Sequence, residues 1–305
     1  MRIFYCDHFV LPLPDGHRFP MDKYSRLRER VERAGLGELE VPEGAHDAAL
    51  LLVHAPHYVE SVTNGRLSPG DVRRIGFPWS PELVARSRRS VGGTIAAARA
   101  ALSDGVSVNL AGGTHHAFPD RGEGFCVFND VAVAARAVRS ESRAGRVVVL
   151  DLDVHQGNGT AAIFAGDSDV FTMSVHGRDN FPFHKQPGDL DLELPDGAGD
   201  DVFLASVEQG VSEALARARP ELAFYVAGAD PFEGDRLGRL AVTKDGLARR
   251  DDLVFGACQA AGVPVAVVMS GGYAHSISDT VDIHFNTVAG AARLADALTG
   301  AEARG

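Results

Sequence analysis

The feature that most constrains the fold is a regular alternation of continuous apolar runs with stretches of helical periodicity, which begins near residue 80. The runs are rich in Val, Ile and Leu and lack an alternating polar face, a pattern typical of parallel strands that are buried on both sides. We therefore predict an α/β fold in which a doubly wound, mostly parallel sheet is flanked by helices. The predicted strands cover residues 106–111, 147–152, 170–175, 222–227 and 265–269.

Helical periodicity occupies several segments between and after these runs. The predicted helices cover residues 81–101, 131–138, 202–218, 244–261 and 287–298. The first 80 residues are less regular, because seven prolines divide them into short pieces. Since no internal repeat, low-complexity tract or flexible Gly/Ser linker divides the chain, we expect residues 1–305 to form a single domain.

The charge and the cysteines indicate what kind of partner and compartment to expect. A formal net charge of −11 disfavours direct nucleic-acid binding, which needs a concentrated basic face, and it favours a cationic substrate. No apolar stretch approaches the roughly 20 residues of a membrane span, and the N-terminus lacks a basic leader. Three widely spaced cysteines, Cys6, Cys126 and Cys258, argue against a disulfide framework. We therefore expect a cytoplasmic protein without membrane attachment.

Polar clusters follow four of the predicted strands directly, at residues 112–116, 151–159, 228–230 and 270–273. In open parallel sheets, ligands bind in the crevice at the carboxyl ends of the strands. Because parallel strands end at the same edge, all four clusters are expected to open onto one rim.

Three residues of these clusters are candidate metal ligands. Asp153 and His155 are two positions apart, so in extended backbone their side chains point to the same side. An Asp-x-His pair occurs often by chance, but Asp230 at the end of another strand supplies a third ligand. Three protein ligands with one open position are the arrangement of a catalytic zinc ion.

Two histidines and a tyrosine on the same predicted rim are candidates for the chemistry. His115 and His116 follow two glycines, and Asp151 and Asn158 each offer an oxygen that can fix the tautomer of one imidazole. A carboxylate raises basicity more than an amide does, so His115, if paired with Asp151, should stay protonated to higher pH than His116. Tyr273 also follows two glycines, which suits an exposed hydroxyl at a turn.

The sequence resembles the histone deacetylase family at five motifs, which occur in the family's order. They are residues 112–118 (GGTHHAF), 120–130 (DRGEGFCVFND), 151–159 (DLDVHQGNG), 227–238 (AGADPFEGDRLG) and 270–273 (SGGY). The resemblance extends from about residue 17 to Tyr273, and the combination of motifs is highly specific. Asn158 stands where the class I enzymes have Asp, which makes the chain similar to class IV members and their bacterial relatives.

The resemblance implies an arginase-type fold and two kinds of metal site. Zinc, with ferrous iron as the alternative metal, would be held by Asp153, His155 and Asp230. A structural potassium ion would be surrounded, mainly through backbone oxygens, by Asp151, Asp153, His155 and Ser174. Gly124, Phe125 and Phe181 would line the tunnel for the acyl-lysine, and Arg18 matches an arginine of the family's internal acetate channel.

The implied reaction is hydrolysis of an acylated amine, an acetyl-lysine or longer acyl-lysine in a protein or peptide. His116 would take a proton from the attacking water, while Tyr273 and zinc stabilise the oxyanion. Protonated His115 or His116 would then protonate the amine.

Three other functions stay open, and no sequence feature indicates an oligomeric state. An acetylpolyamine amidohydrolase would act on a small cationic amide, although the loop insertion usual in those enzymes is not evident. An arginase-like ureohydrolase would need two manganese ions and further Asp and His ligands. A non-catalytic acyl-lysine binding module would be expected to lack a ligand or the tyrosine. His54 and His57 are expected to lie in a helix start or loop and not to bind metal, and Cys126 is expected to pack near the tunnel without acting as a nucleophile.

Overall fold

The computed structural model describes residues 1–302, which form a central sheet covered by helices on both faces. Every strand pairing in this part of the chain is parallel, and the strand order is β2-β1-β3-β8-β7-β4-β5-β6. The strands are β1 (Arg2–Phe4), β2 (Glu38–Glu40), β3 (Val106–Asn109), β4 (Val147–Asp151), β5 (Val170–Gly177), β6 (Leu190–Leu194), β7 (Leu222–Ala227) and β8 (Val265–Met269).

Ten helices in the described chain connect or flank the strands. They are α1 (Asp22–Ala34), α2 (Asp47–Leu50), α3 (Pro56–Thr63), α4 (Pro69–Ile75), α5 (Pro81–Asp104), α6 (Asp130–Ser140), α7 (Asn158–Phe164), α8 (Asp200–Ala218), α9 (Lys244–Ala261) and α10 (Ile277–Glu302).

Successive residues of the central strands contribute to two different cores, one on each face of the sheet. On β4, Val148 and Leu150 pack with the helices α1, α8, α9 and α10. Val147 and Val149 on the same strand pack with α3, α5 and α6 on the opposite face. Burial on both faces explains why these strands have no polar alternation.

The five predicted strands and the parallel sheet are confirmed, but the sequence did not predict β1, β2 and β6. Strands β1 and β2 have only three residues each, which is too short for a recognisable pattern. The edge strand β6 alternates Leu with acidic residues, because it is only partly buried. The proline-rich N-terminal region contains α1, and α10 begins at Ile277, well before the predicted start at residue 287.

The strand order places the four polar clusters side by side. Strands β3, β8, β7 and β4 are consecutive neighbours in the sheet, and each cluster follows the carboxyl end of one of them. The common rim expected from the sequence is therefore present. No helix within the described residues is long and apolar enough to cross a membrane.

Candidate active site

Asp153, His155 and Asp230 converge at this rim and form one compact ligand set. Nδ1 of His155 lies 2.9 Å from Oδ1 of Asp153 and 3.2 Å from Oδ2 of Asp230. One potential ligand atom from each of the three residues lies within 4.8 Å of the other two, and all three side chains are buried. Burial and the charge of Asp153 raise the pKa of Asp230 to about 7. Two buried carboxylates that repel each other in this way favour a bound cation.

Backbone amides orient the two carboxylates and leave one oxygen unpaired. The amide of Gly271 donates to Oδ2 of Asp153 at 2.8 Å, and that of Val154 donates to Oδ1 of Asp230 at 2.9 Å. Oδ2 of Asp230 is buried and accepts no hydrogen bond from any described residue. A Cβ atom on Gly271 would lie 1.7 Å from that oxygen, so only glycine fits there. A buried, unpaired carboxylate oxygen beside an imidazole nitrogen fits a metal ligand set.

His115 contacts the carboxylate that the sequence suggested for it. Its Nδ1 lies 2.6 Å from Oδ2 of Asp151, and both side chains are buried. Burial by itself would lower the pKa of His115, but the charges of Asp151 and Asp153 outweigh burial and raise the pKa to about 9. This histidine is therefore protonated at neutral pH.

His116 contacts an amide instead, and its pKa moves in the opposite direction. Oδ1 of Asn158 lies 2.7 Å from its Nδ1 and also accepts a hydrogen bond from the backbone of Gly159 at 3.0 Å. The Asn158 amide donates in turn to Oε1 of Glu123 at 3.3 Å. Burial, together with the neighbouring charge of His115, lowers the pKa of His116 well below its ordinary value. Its Nδ1 carries the proton, which leaves Nε2 as a free base.

Tyr273 is held by its backbone rather than by its hydroxyl. Its amide donates to Oδ2 of Asp235 at 2.6 Å, and its carbonyl accepts from Nε of Arg236 at 2.8 Å. Burial raises the pKa of the phenol well above its ordinary value, so the hydroxyl stays protonated. No group among residues 1–302 hydrogen-bonds to this hydroxyl, which leaves it available as a donor.

A cavity of about 600 Å³ contains most of these residues and opens to the surface. His115, His116, Asp153, His155 and Tyr273 lie in its lining, as do the three residues expected to line the acyl-lysine tunnel, Gly124, Phe125 and Phe181. The ring of Phe181 lies edge-on to His116, with 5.0 Å between ring centroids. An apolar cavity with a few polar groups at one place is the usual form of a small-molecule site.

Of the four residues expected around potassium, Asp153 and His155 belong to the metal ligand set, and Asp151 and Ser174 lie on neighbouring strands beside it. Asp151 on β4 and Ser174 on β5 are register partners, and both line a separate small cavity of about 10 Å³. Oγ of Ser174 lies 2.9 Å from Nδ1 of His176. Asp151 therefore contacts His115 through its side chain and pairs with Ser174 through the register of the two strands.

Two residues near the site were not anticipated from the sequence. Glu123 lies inside the motif at residues 120–130, but nothing in that motif indicates its contact with Asn158. Lys23 on α1 is only 2% exposed, donates to the carbonyl of Ser270 at 3.1 Å and lies 5.4 Å from the ring of Tyr273. Arg18 is exposed and lines the main cavity, so its expected placement in an internal channel is wrong. Lys23 lines the same cavity and is buried.

Three other residues, His54, His57 and Cys126, lie outside the metal ligand set. His54 is buried, with Nδ1 3.0 Å from the carbonyl of Phe118, and its Nε2 accepts from the amide of Asn129 at 3.0 Å. His57 lies in α3. Cys126 lines the cavity, and burial raises the pKa of its thiol well above the ordinary value, which makes it a poor nucleophile.

A family model described as the histone deacetylase domain matches residues 17–288. The chain belongs to the histone deacetylase family. The metal ligand set, the two histidines and the tyrosine all fall inside the matched range. Membership of this deacetylase and amidohydrolase family indicates a hydrolase, and the buried ligand set agrees with the metal dependence typical of histone deacetylases.

Relatives of this histone deacetylase family member include two bacterial proteins. An uncharacterised protein of Picosynechococcus sp. is 47% identical over 285 residues, which cover 92% of this chain and 95% of that protein. The histone deacetylase-like amidohydrolase of Pseudomonas aeruginosa is 32% identical over 288 residues, covering 87% of this chain and 74% of that protein. An HDAC homologue from Aquifex aeolicus superposes with a TM-score of 0.81 at 23% identity, covering 95% of this chain and 84% of that chain. The fold is therefore of the arginase/deacetylase type.

Proposed function

We propose that this protein is a zinc-dependent amidohydrolase that removes acetyl groups, or longer acyl groups, from lysine side chains. The observation that carries the proposal is the convergence of Asp153, His155 and Asp230 beside two histidines with opposite pKa shifts. Tyr273 lies in the lining of the same cavity. A metal ligand set, a base, an acid and a hydroxyl donor are the groups that hydrolysis of an unactivated amide needs.

Asp153, His155 and Asp230 would hold the zinc ion, with ferrous iron as the alternative metal. When bound, the ion would supply Lewis acidity, which polarises an amide carbonyl and lowers the pKa of water. Two carboxylates and one imidazole are three protein ligands, which would leave the fourth position of a catalytic zinc ion open for water or substrate. A potassium ion beside Asp151 and Ser174, with backbone oxygens of Asp153 and His155, belongs to the same proposal.

The protein's own groups divide the proton transfers between them. Nε2 of neutral His116 takes a proton from the attacking water, while Nδ1 keeps its hydrogen bond to Oδ1 of Asn158. The Tyr273 hydroxyl donates a hydrogen bond to the oxyanion that develops on the former carbonyl oxygen. Protonated His115, with His116 as the alternative once it is charged, supplies the proton that the departing amine needs. Unequal pKa values let two adjacent histidines take different roles.

The apolar lining favours a lysine side chain as the substrate. Gly124, Phe125 and Phe181 would surround its aliphatic stem and exclude water from the amide. A ureohydrolase is less well supported, because one cluster of metal-ligating side chains is found in the described part of the chain. A purely binding function would leave the base and the hydroxyl donor without a role.

The proposal is tested by offering zinc-loaded protein a panel of amides. The panel contains an acetyl-lysine peptide, the same peptide with octanoyl- and myristoyl-lysine, N-acetylputrescine and arginine. We expect hydrolysis of at least one acyl peptide, to the carboxylic acid and the peptide with an unmodified lysine, at a rate well above that of N-acetylputrescine hydrolysis. Hydrolysis of N-acetylputrescine alone would favour the polyamine amidohydrolase, and urea release from arginine would favour the ureohydrolase.

A further inference from the structure

The mouth of the active-site cavity is lined by four exposed arginines, Arg18, Arg73, Arg74 and Arg239. They come from three separate parts of the chain: the segment before α1, the end of α4 and the loop after β7. Such a concentration of positive charge is unexpected on a chain whose formal net charge is −11.

Hydrogen bonds to backbone groups connect all three parts to the wall of the cavity. The carbonyl of Arg74 accepts a hydrogen bond from the amide of Gly124 at 3.1 Å, which ties α4 to the loop that contains Gly124 and Phe125. The side chain of Arg236 donates to the carbonyls of Tyr273 and Arg18 and so ties the segment before α1 to the tyrosine. The amide of Arg239 donates to the buried side chain of Asn180 at 3.3 Å. The backbone of all three arginine-bearing parts is therefore anchored at the cavity.

Two of the four arginines have no acidic partner. Arg74 pairs with Asp71 at 2.9 Å and Arg239 pairs with Asp196 at 3.3 Å. In contrast, no carboxylate of the described residues lies within ion-pair distance of the Arg18 or Arg73 side chains.

The acidic side chains in the cavity lining are already engaged. Glu123 accepts a hydrogen bond from Asn158, and Asp179 lies 3.6 Å from Nε of Arg178. Asp153 lies deeper, in the metal ligand set. A cleft lined by charges of one sign focuses their electrostatic field, which attracts ligands of the opposite charge and repels ligands of the same charge.

We propose that the entrance selects acyl-lysines with a carboxylate close to the modified side chain, with Arg18 and Arg73 as the groups that contact it. This inference rests on the proposed deacylase function and specifies its substrate class. It reverses the expectation of a cationic substrate, which came from the net charge of the chain. Salt screens the distant surface charges, so the arginines at the entrance dominate the field that a substrate meets there. A polyamine, whose amines are cationic, is a poor match for this entrance.

The carboxylate has two possible sources, an acidic residue that flanks the lysine in a peptide or the α-carboxylate of free Nε-acetyl-lysine. Three blocked peptides of the form Gly-Xaa-Lys(acetyl)-Xaa-Gly, with Glu, Gln or Lys as Xaa, test the first source. Free Nε-acetyl-lysine and its α-amide test the second. All are compared by kcat/KM with the zinc-loaded enzyme at low and high ionic strength.

We expect the Glu peptide to exceed the Gln peptide, and the Gln peptide to exceed the Lys peptide. Each step should be about two- to fivefold per arginine engaged, the range typical of exposed ion pairs. The preference should shrink as salt is raised, because exposed charges are screened beyond about 10 Å at 0.1 M ionic strength.

Variants then assign the preference to named residues. In Arg18→Gln and Arg73→Gln the ratio of kcat/KM for the Glu and Gln peptides should fall toward one, and the double charge reversal Arg18→Glu with Arg73→Glu should prefer the Lys peptide. Arg33→Gln is the matched control, because Arg33 is exposed on α1 and does not line the cavity. This control should keep the full ratio.

The outcomes separate this inference from the proposed function. Turnover of the Gln peptide without a preference for Glu, or a preference that survives both charge reversals, overturns the inference and leaves the deacylase function standing. No turnover of any acyl substrate overturns both.

Discussion

Oδ1 of Asn158 lies 2.7 Å from Nδ1 of His116, and the other end of the same amide contacts Glu123. The amide can satisfy both neighbours only in this orientation, since it accepts from the imidazole and donates to the carboxylate. Glu123 therefore explains why an amide suits this position: a carboxylate at residue 158 would lie beside another carboxylate.

Asn158→Asp should destabilise the protein, and the loss should depend on Glu123. The new carboxylate is placed near Oε1 of Glu123 in a partly buried site, where like charges repel. We expect the free energy of unfolding to fall by about 0.5 to 3 kcal/mol, the range of coupling between contacting residues. Urea denaturation of Asn158→Asp, Glu123→Gln and the double variant measures this coupling. Glu123→Gln alone should cost little, and strictly additive effects would contradict the contact.

Asp151→Asn should change the alkaline side of the pH profile. The carboxylate of Asp151 is the main charge that raises the pKa of His115 to about 9, against the lowering effect of burial. Removing that charge while keeping an oxygen acceptor lowers this pKa, so protonated His115 is lost at a lower pH. We expect the alkaline limb of kcat/KM to move to lower pH. An unchanged limb would remove His115 from the role of acid.

Tyr273→Phe should separate catalysis from metal binding. The ring can still pack beside Phe125, but the hydrogen bond to the oxyanion is lost, which costs about 10²- to 10³-fold in kcat. Metal content, measured by mass spectrometry, should not change. Tyr5→Phe is the control, because Tyr5 lies outside the cavity lining. Turnover close to that of the unmodified enzyme would exclude the tyrosine from the mechanism.

His54 should contribute stability that is lost on acidification. Burial lowers its pKa from 6.5 to about 4, so between these values the unfolded chain binds the proton and the folded chain does not. The contribution is complete above pH 6.5 and declines toward pH 4, with about 2 kcal/mol lost from pH 7 to pH 5. Urea denaturation at both pH values should show a larger decrease for the unmodified protein than for His54→Gln. Equal decreases would mean that His54 is not the titrating group.

Much of the fold follows from local pattern. Strands β3, β4, β7 and β8 are buried on both faces, so each is a continuous apolar run, and the polar residues that follow each run mark the functional rim. Strands β1 and β2 are too short to have a recognisable pattern. Strand β6 lies at the edge of the sheet and is only partly buried, so its sequence contains acidic residues and does not form an apolar run.

Contacts between distant segments could not be predicted in the same way. Lys23 is separated from Ser270 by 247 positions, and no local pattern shows that its ammonium group is buried beneath the tyrosine loop. Arg18 and Arg73 illustrate the same limit for charge: the net charge of the chain has the opposite sign to the charge at the cavity entrance. Such facts depend on tertiary packing.

The central claim is that the ligand set of Asp153, His155 and Asp230 holds the metal on which amide hydrolysis depends. The most direct measurement is acetate release from an acetyl-lysine peptide, made on protein whose metal content is counted. We predict that chelation abolishes release, that one zinc ion per chain restores it, and that Asp230→Ala neither retains the ion nor recovers activity. Acetate release by metal-free protein at the original rate, or full zinc occupancy in Asp230→Ala, would contradict this claim.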